Sequence, residues 1–326
     1  MTTLNPKSSA LPPTALTIGN FDGCHLGHQA LIEVVVDASN RLRLTPSALT
    51  FSPRPEAYFR GIDETGRLLF SPEQKQRALE EFGIKHHDVK TFDHAFSQLS
   101  AEAFYTTSIR EKLRAEFISV GANFRFGSQR QGTAQWLIDR TERDGYTTHI
   151  CAEVVVDDAA ASSSRVRRLL SEGDVDNASR ILGRPYLLEG VIGSDSKMGR
   201  TLGFPTANLH DIQQLIPAHG VYAGWMWVAE ITATSAHKHP PIRLQPTQLW
   251  PAVFNIGVRP TVNGSKEVRI EGHLLDKQLA DNALYLRRAG FYLAHRIRDE
   301  QRFPDLVALK AQIQVDVQRA KTLLNA

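Results

Sequence analysis

The chain has 326 residues, of which 42% are hydrophobic and 22% are charged, and its formal net charge at pH 7 is +3. This length suits two domains that each bury an apolar core. The small net charge and the lack of a Lys/Arg block argue against a nucleic-acid partner. No run of about 18 apolar residues and no apolar segment near Met1 occur, so we predict neither a membrane span nor a signal peptide. Two cysteines, Cys24 and Cys151, fit a reducing, cytoplasmic location.

The first half of the chain alternates short apolar runs with helical patterns, which is typical of a parallel sheet. The runs lie at residues 15–18, 47–51, 89–92, 117–120 and 149–156. Ser71, Pro72 and Gln74 predict the capped start of one helix, and a second helix is predicted over residues 100–114. We therefore predict a doubly wound α/β domain over residues 1–183, whose ligands bind beyond the carboxyl ends of the strands.

After residue 183 the sequence changes to extended stretches that are rich in Val, Tyr and Trp and separated by Gly/Pro turns. Strands are predicted at residues 186–192, 220–231, 252–256, 268–275 and 284–294. A final helix can be capped by Asp305. One face of that helix is apolar and should lie on the strands: Leu306, Leu309, Ile313 and Val317. We therefore predict a second, all-β domain over residues 184–326, a barrel or sandwich with a terminal helix.

Residues 19–28, GNFDGCHLGH, place two histidines where a predicted strand gives way to a helix. A helix N-terminus offers backbone N–H groups and a positive dipole end to an anion. His25 and His28, three residues apart, can share one face there and offset the charge that develops as pyrophosphate leaves a nucleotide. On this pattern alone, packing or surface histidines and metal ligands stay open as alternatives.

Residues 199–208, GRTLGFPTAN, form a second candidate phosphate site. Thr206 and Asn208, two apart in an extended chain, point the same way, and a hydroxyl with an amide oxygen suits Mg²⁺ and a nucleotide phosphate. Arg200 lies in a glycine-bounded loop that can fold over phosphates. Taken alone, the string is also typical of an ordinary Gly-Pro turn before a strand.

Transfer of a phosphoryl group to a hydroxyl also needs a group that accepts the hydroxyl proton. Glu271 is the candidate for this role. Strand alternation over residues 268–273 sends Glu271 and Arg269 to one face and Ile270 to the other. The alternative is an exposed cross-strand charge pair, which is the usual role of a glutamate on a strand.

Both motifs, together with further segments in the same order, resemble the bifunctional bacterial riboflavin kinase/FMN adenylyltransferases. The matching segments are residues 19–28, 50–55, 120–127, 162–167, 199–209, 220–223, 255–261, 271–276 and 298–304. The resemblance covers nearly the whole chain. It implies a Rossmann-like adenylyltransferase domain with a parallel sheet, followed by an antiparallel β-barrel kinase domain with a terminal helix. ATP and Mg²⁺ would serve phosphorylation of riboflavin to FMN and then adenylylation of FMN to FAD.

The resemblance also implies roles for individual residues. Glu271 would be the base for the ribityl 5′-hydroxyl, while His25 and His28 would catalyse adenylyl transfer. The flavin contacts would be Asn123, Phe124 and Arg298. The Mg²⁺ ligands would be Thr206 and Asn208. The ATP contacts would be Gly19, Phe21, Asp22, Gly27, Ser163, Ser164, Arg167, Arg200, Thr206 and Asn208.

Some of these positions keep an alternative. Phe124 also suits the core, and Arg298 also suits a salt bridge to a nearby carboxylate. Ser52 and Arg54 stand where the family often has Asp and His, and Ser164 where it often has Thr. Arg54 keeps a donor but changes its reach and fixes its charge, so a kinase with a weakened adenylyltransferase is one alternative function.

A non-catalytic flavin-binding sensor is another alternative function. The expected partners are small molecules, namely riboflavin, FMN and ATP, without nucleic acid or membrane. The chain is expected to be a monomer or a transient homo-oligomer.

Overall fold

The computed structural model describes residues 11–193, 206–229, 239–243, 249–260, 266–275 and 284–325. They divide into two compact units. The first takes the described residues of Met1–Glu64 and Lys75–Ala160, and the second takes those of Thr65–Gln74 and Ala161–Ala326. The domain boundary predicted after residue 183 stays a proposal. Within the described ranges, no helix has the length and apolar character needed to cross a membrane.

Along residues 11–160 the chain alternates between strands and helices. The strands are β1 (Thr14–Ile18), β2 (Thr45–Ser52), β3 (His86–Thr91), β4 (Ala115–Gly121), β5 (Arg125–Phe126), β6 (Gly132–Thr133), β7 (Thr147–Cys151), β8 (Val155–Val156) and β9 (Ala159–Ala160). The helices are α1 (Leu26–Leu42), α2 (Pro55–Arg60), α3 (Pro72–Glu81), α4 (His94–Ser97), α5 (Ala101–Phe104) and α6 (Ala134–Arg143). A π-helical segment lies at Tyr105–Lys112 and a 3₁₀ turn at Ser128–Arg130.

A five-stranded parallel sheet forms the centre of the first unit, in the order β3-β2-β1-β4-β7. All five residues of β1 are buried, as expected for a central strand covered on both faces. The chain leaves β1 on one side for β2 and later returns on the other side for β4. The crevice beyond the carboxyl ends of β1 and β4 is therefore the switch point at which such sheets bind ligands. The predicted doubly wound sheet is confirmed.

Local sequence signals set the helix ends. Ser71 Oγ accepts from the Gln74 backbone N–H at 3.2 Å, and Gln74 Oε1 accepts from the Ser71 N–H at 3.0 Å, so the predicted capping box starts α3. The helix predicted over residues 100–114 begins directly after its cap, Ser100. It then changes to π-helical hydrogen bonding at Tyr105–Lys112, which the sequence pattern did not indicate.

The second unit is built on a barrel. Two helices precede it, α7 (Ser163–Glu172) and α8 (Val175–Leu182), and α9 (Leu306–Leu324) follows it. The strands are β10 (Tyr186–Gly193), β11 (Ala207–His210), β12 (Gly220–Val228), β13 (Trp250–Pro260), β14 (Lys266–Leu274) and β15 (Arg288–Arg298). They close in the antiparallel order β10-β11-β14-β13-β12-β15. The predicted barrel is thus confirmed.

Helix α9 packs on the barrel mainly through its second half. Asp305 caps the helix as predicted, and Val317 and Ala320 join an apolar cluster with barrel residues. Leu306, which was predicted to lie on the contact face, is 59% exposed. The prediction is wrong for this residue because it is the first residue of the helix, whereas the apolar contacts with the barrel come from the second half.

A buried ion pair also joins α9 to the barrel. Arg298, at the end of β15, donates from Nε and Nη2 to both carboxylate oxygens of Asp316 at 2.8 to 3.1 Å. The Asp316 side chain is only 4% exposed. A bidentate pair of this kind supplies a buried carboxylate with both a counter-charge and donors.

Replacing Asp316 by alanine should destabilise the second unit by about 3–5 kcal/mol, because the Arg298 guanidinium is left without its carboxylate. Urea unfolding measures the change. As a control, Arg168→Ala removes an i,i+4 pair with Glu172 whose side chains are 58% and 51% exposed. This control should cost less than about 1 kcal/mol. Equal losses in the two variants would contradict a stabilising role for the buried pair.

Candidate active sites

The first candidate site begins at the loop between β1 and α1. Phe21, Gly23 and Cys24 have φ angles of 48°, 80° and 38°, all in the left-handed region. Non-glycine residues there are strained by roughly 1–3 kcal/mol each, so neighbouring contacts must hold the loop. Gln29 Nε2 donates to the Cys24 carbonyl at 2.8 Å. Phe21 and Asp22, two predicted ATP contacts, are both buried, so their contact with ATP stays a prediction.

This loop delivers His25 and His28 to the start of α1. The His25 carbonyl accepts from the N–H groups of His28 and Gln29 at 2.8 and 3.0 Å, so His25 is the N-cap residue. The two imidazole rings stack with their centroids 3.7 Å apart, and the Phe21 ring lies 5.1 Å from that of His28. Both predicted histidines thus lie side by side at the positive end of a helix, together with the predicted Gly27 of its first turn.

Charged side chains surround the buried carboxylate of Asp22. Arg54 Nη1 lies 3.8 Å from Asp22 Oδ2, and Arg54 Nε pairs with Glu64. Glu64 Oε2 also accepts from the Arg54 backbone N–H at 3.1 Å. Burial lowers the pKa of Lys75, and the carboxylates of Asp22 and Glu64 oppose that shift. Arg54, one of the departures from the family pattern, is therefore directed into the protein.

A cavity of about 910 Å³ opens in the first unit at the switch point of the sheet. Gly19, which follows β1, and Asn123, which follows β4, both line it. The aromatic lining residues are Phe51, Phe59, Phe92, Phe96, Phe104, Phe124 and Phe126. The rings of Phe124 and Phe126 stack with centroids 5.3 Å apart. A cavity of this size with an aromatic wall suits a flat heterocycle.

The sequence prediction found only part of this cavity. Asn123 and Phe124 were predicted flavin contacts, and both line it. The phenylalanines on β2, α2 and the segment after β3 were missed, because no local spacing connects them. Three arginines also line the cavity: Arg60, Arg125 and Arg130. Their charge suits an anionic ligand, such as a compound that carries a phosphate.

The predicted phosphate-binding residues of α7 lie in its first turns. They are Ser163, Ser164 and Arg167. Ser162 caps the helix by accepting from the Arg165 backbone N–H at 3.3 Å, and Gly173 ends it at φ 80°. Arg167 Nε donates to the Arg67 carbonyl at 2.9 Å. This segment belongs to the second unit and the histidines belong to the first, so their joint action stays a prediction.

The second candidate site lies on the barrel, where Glu271 is the middle residue of a row across three strands. It is directly opposite Asn208 on β11 and Asn255 on β13. Directly opposite residues of antiparallel strands share a face, so the three side chains are neighbours. Arg269, on the same face of β14, has Nη1 4.0 Å from Glu271 Oε1, and Ile270 on the other face is buried. The sequence prediction missed Asn255, although its segment matched the family.

Asn208 is the residue of this row best suited to a cation. It is 5% exposed, and its Oδ1 has no hydrogen-bond partner within the part of the chain that is described. An orphaned amide oxygen beside a carboxylate fits Mg²⁺, which prefers oxygen ligands.

Thr206 directly precedes β11, and Arg200 lies outside the described residues. Over the described ranges, no group of three or more His, Cys, Asp or Glu is arranged to hold a metal.

Arg298, a predicted flavin contact, forms the bidentate ion pair with Asp316 described above. Its guanidinium also lies 5.7 Å from the centroid of the Phe303 ring. The alternative role, a salt bridge to a nearby carboxylate, is therefore observed. Contact of Arg298 with a flavin stays a prediction.

Comparisons with known proteins match both halves of the chain. Two family models apply: FAD synthetase over residues 7–165 and riboflavin kinase over residues 182–324. The bifunctional riboflavin kinase/FMN adenylyltransferase of Haemophilus influenzae is 33% identical over 323 residues, which cover 99% of this chain and 98% of the relative. The enzyme of the same name from Escherichia coli K12 is 34% identical over 301 residues, 92% of this chain and 90% of the relative.

A solved structure also matches the whole chain. It is described as a macrolide-efflux protein from Streptococcus pneumoniae, with a TM-score of 0.80, 26% identity, and coverage of 97% of this chain and 96% of that one. Its description differs from those of the family models and the curated relatives, which name flavin enzymes. The family models and the curated relatives decide the family, because the models match each half of the chain and the relatives match nearly all of it. The chain therefore belongs to the family of bifunctional riboflavin kinase/FMN adenylyltransferases.

Proposed function

We propose that the barrel makes FMN from riboflavin and that the α/β domain converts FMN to FAD, each with its own ATP. The chain is a bifunctional transferase, with the adenylyltransferase in residues 1–183 and the kinase in residues 184–326. The observation that carries this proposal is that each half has a separate polar site of the required chemistry. These sites are the row around Glu271 and the stacked histidines near an aromatic cavity.

In the kinase reaction, Glu271 accepts the proton of the riboflavin 5′-hydroxyl while the hydroxyl oxygen attacks the γ-phosphorus of ATP. The terminal phosphoryl group moves to riboflavin, and ADP leaves. Asn208 and Thr206 would hold Mg²⁺, which neutralises charge on the ATP phosphates. Arg269 supports the orientation of the Glu271 carboxylate from 4.0 Å away. Arg200 steadies the phosphates, as its glycine-bounded loop suggests.

In the transferase reaction, a phosphate oxygen of FMN attacks the α-phosphorus of ATP, and pyrophosphate leaves as FAD forms. His25 and His28 donate hydrogen bonds to the reacting phosphates as negative charge grows on them. Their position at the positive end of α1 supports this role. The flavin ring occupies the phenylalanine-lined cavity, and Ser163, Ser164 and Arg167 bind the ATP phosphates.

The enzyme works in the cytoplasm as a monomer or transient homo-oligomer, with small molecules as its partners. Cys24 and Cys151 are free thiols, which supports a reducing compartment.

Incubation with riboflavin, ATP and Mg²⁺ should yield FMN and then FAD, resolved by chromatography.

Glu271→Gln should lower FMN formation by about 10²- to 10⁴-fold and leave FAD formation from supplied FMN unchanged, because only the kinase loses its base. His28→Ala should lower FAD formation by about 10²- to 10³-fold and leave FMN formation unchanged. Urea unfolding of each variant shows whether both units have folded. Loss of both reactions in either folded variant would contradict the two-site assignment.

Asn208→Ala should raise the Mg²⁺ concentration for half-maximal FMN formation by about tenfold or more, because it removes a buried oxygen ligand. Mg²⁺ is titrated at fixed ATP and riboflavin. The Mg²⁺ dependence of FAD formation in the same variant is the control and should not change. An unaltered Mg²⁺ dependence of the kinase would show that Asn208 is not a ligand.

Phe59→Ala should raise the KM for FMN in FAD formation by about two- to tenfold, because an aromatic contact contributes about 0.5–1.5 kcal/mol. Phe59 lines the cavity, packs against Phe92 at 5.6 Å and is 67% exposed, so its loss should leave the fold intact. The matched control is Val307→Ala, an exposed apolar position on α9 in the second unit. A KM that stays at the wild-type value would place the flavin elsewhere.

A further inference from the structure

Two carboxylates hold the Arg54 side chain inside the first unit. The side chains are largely buried, with exposures of 13% for Arg54, 1% for Asp22 and 17% for Glu64. Arg54 Nη1 lies 3.8 Å from Asp22, and Arg54 Nε pairs with Glu64. Glu64 also accepts from the Arg54 backbone N–H. The guanidinium is thus occupied from two sides by protein groups.

Asp22 lies in the loop that leads to the two histidines. Its neighbours Phe21 and Gly23 both have left-handed backbone angles, as does Cys24 immediately before His25. Such a conformation persists only where the surroundings hold it in place. A buried carboxylate also needs a counter-charge, which Arg54 contributes from the start of α2. The pair therefore attaches the strained loop to a second element of the unit.

We propose that Arg54 is a positioning residue for adenylyl transfer: it joins Asp22 to Glu64 and thereby fixes the loop that carries His25 and His28, without binding a substrate phosphate itself. This inference rests on the adenylyltransferase function proposed above. Arg54 thereby has a specific role although it departs from the family pattern. Glu64, ten residues further along the chain, belongs to the same ion-pair cluster with Asp22 and Arg54.

The test is the steady-state kinetics of FAD formation from FMN and ATP. Arg54→Met should lower kcat by about 10- to 100-fold and change the KM for ATP and FMN by less than about threefold, because the histidines are displaced while the substrate contacts remain. Arg54→Lys keeps the charge but not the fork of donors, so its kcat should lie between those of Arg54→Met and the wild type.

A double-mutant cycle with Glu64→Gln tests the connection between the two side chains. Glu64→Gln should lower kcat in the same direction, and the double variant should be no slower than Arg54→Met, because both changes break one unit. Lys112→Met, which removes an ion pair with Asp88 elsewhere in the first unit, is the control and should match the wild type. A urea unfolding curve of each variant reports whether the first unit has folded.

Two results would overturn the inference. One is a rise of about tenfold or more in the KM for ATP with little change in kcat, which is the behaviour of a residue that binds substrate. The other is a wild-type kcat for Glu64→Gln. If Arg54→Met does not fold, Arg54→Lys and Glu64→Gln decide the question by the same criteria. A wild-type protein that forms no FAD would instead refute the proposed adenylyltransferase.

Discussion

Hydrogen-bonded pairing between strands determines where chemistry can take place in each unit. In the parallel sheet, β1 lies between β2 and β4, so the residues after β1 and β4 meet at one crevice. In the barrel, the register opposite Glu271 sets Asn208 and Asn255 beside it. A slip of one residue would turn Glu271 toward the barrel interior and Ile270 toward the solvent. Register is therefore as important to the kinase site as the identity of its residues.

Features encoded by near neighbours in the chain were predictable. The capping box of Ser71 and Gln74, the cap at Asp305 and the alternation around Glu271 each depend on a few consecutive residues. Within such a span, backbone geometry leaves few arrangements, so residue type is enough. The two histidines were predictable for the same reason, because a spacing of three positions at the start of a helix brings their rings together.

Contacts between side chains that lie beyond one another's local segment were not predictable. Arg54 meets Glu64, and Arg298 meets Asp316, in a chain with 38 basic and 35 acidic residues. Charge alone cannot select one partner among so many, because the choice depends on how whole elements pack. The phenylalanine-lined cavity is a similar case. Its rings come from several elements, and each ring taken separately has the pattern of an ordinary core residue.

The burial of Asp22 has a consequence for the response of the enzyme to salt. Dissolved ions screen exposed pairs such as Arg60–Glu56, whose side chains are 68% and 57% exposed. They reach Asp22 and Arg54 far less, because these side chains are only 1% and 13% exposed. The histidine loop should therefore keep its shape over a wide range of ionic strength. Changes in cellular salt would then alter the rate at which charged substrates associate with the enzyme, while the arrangement of the two histidines stays the same.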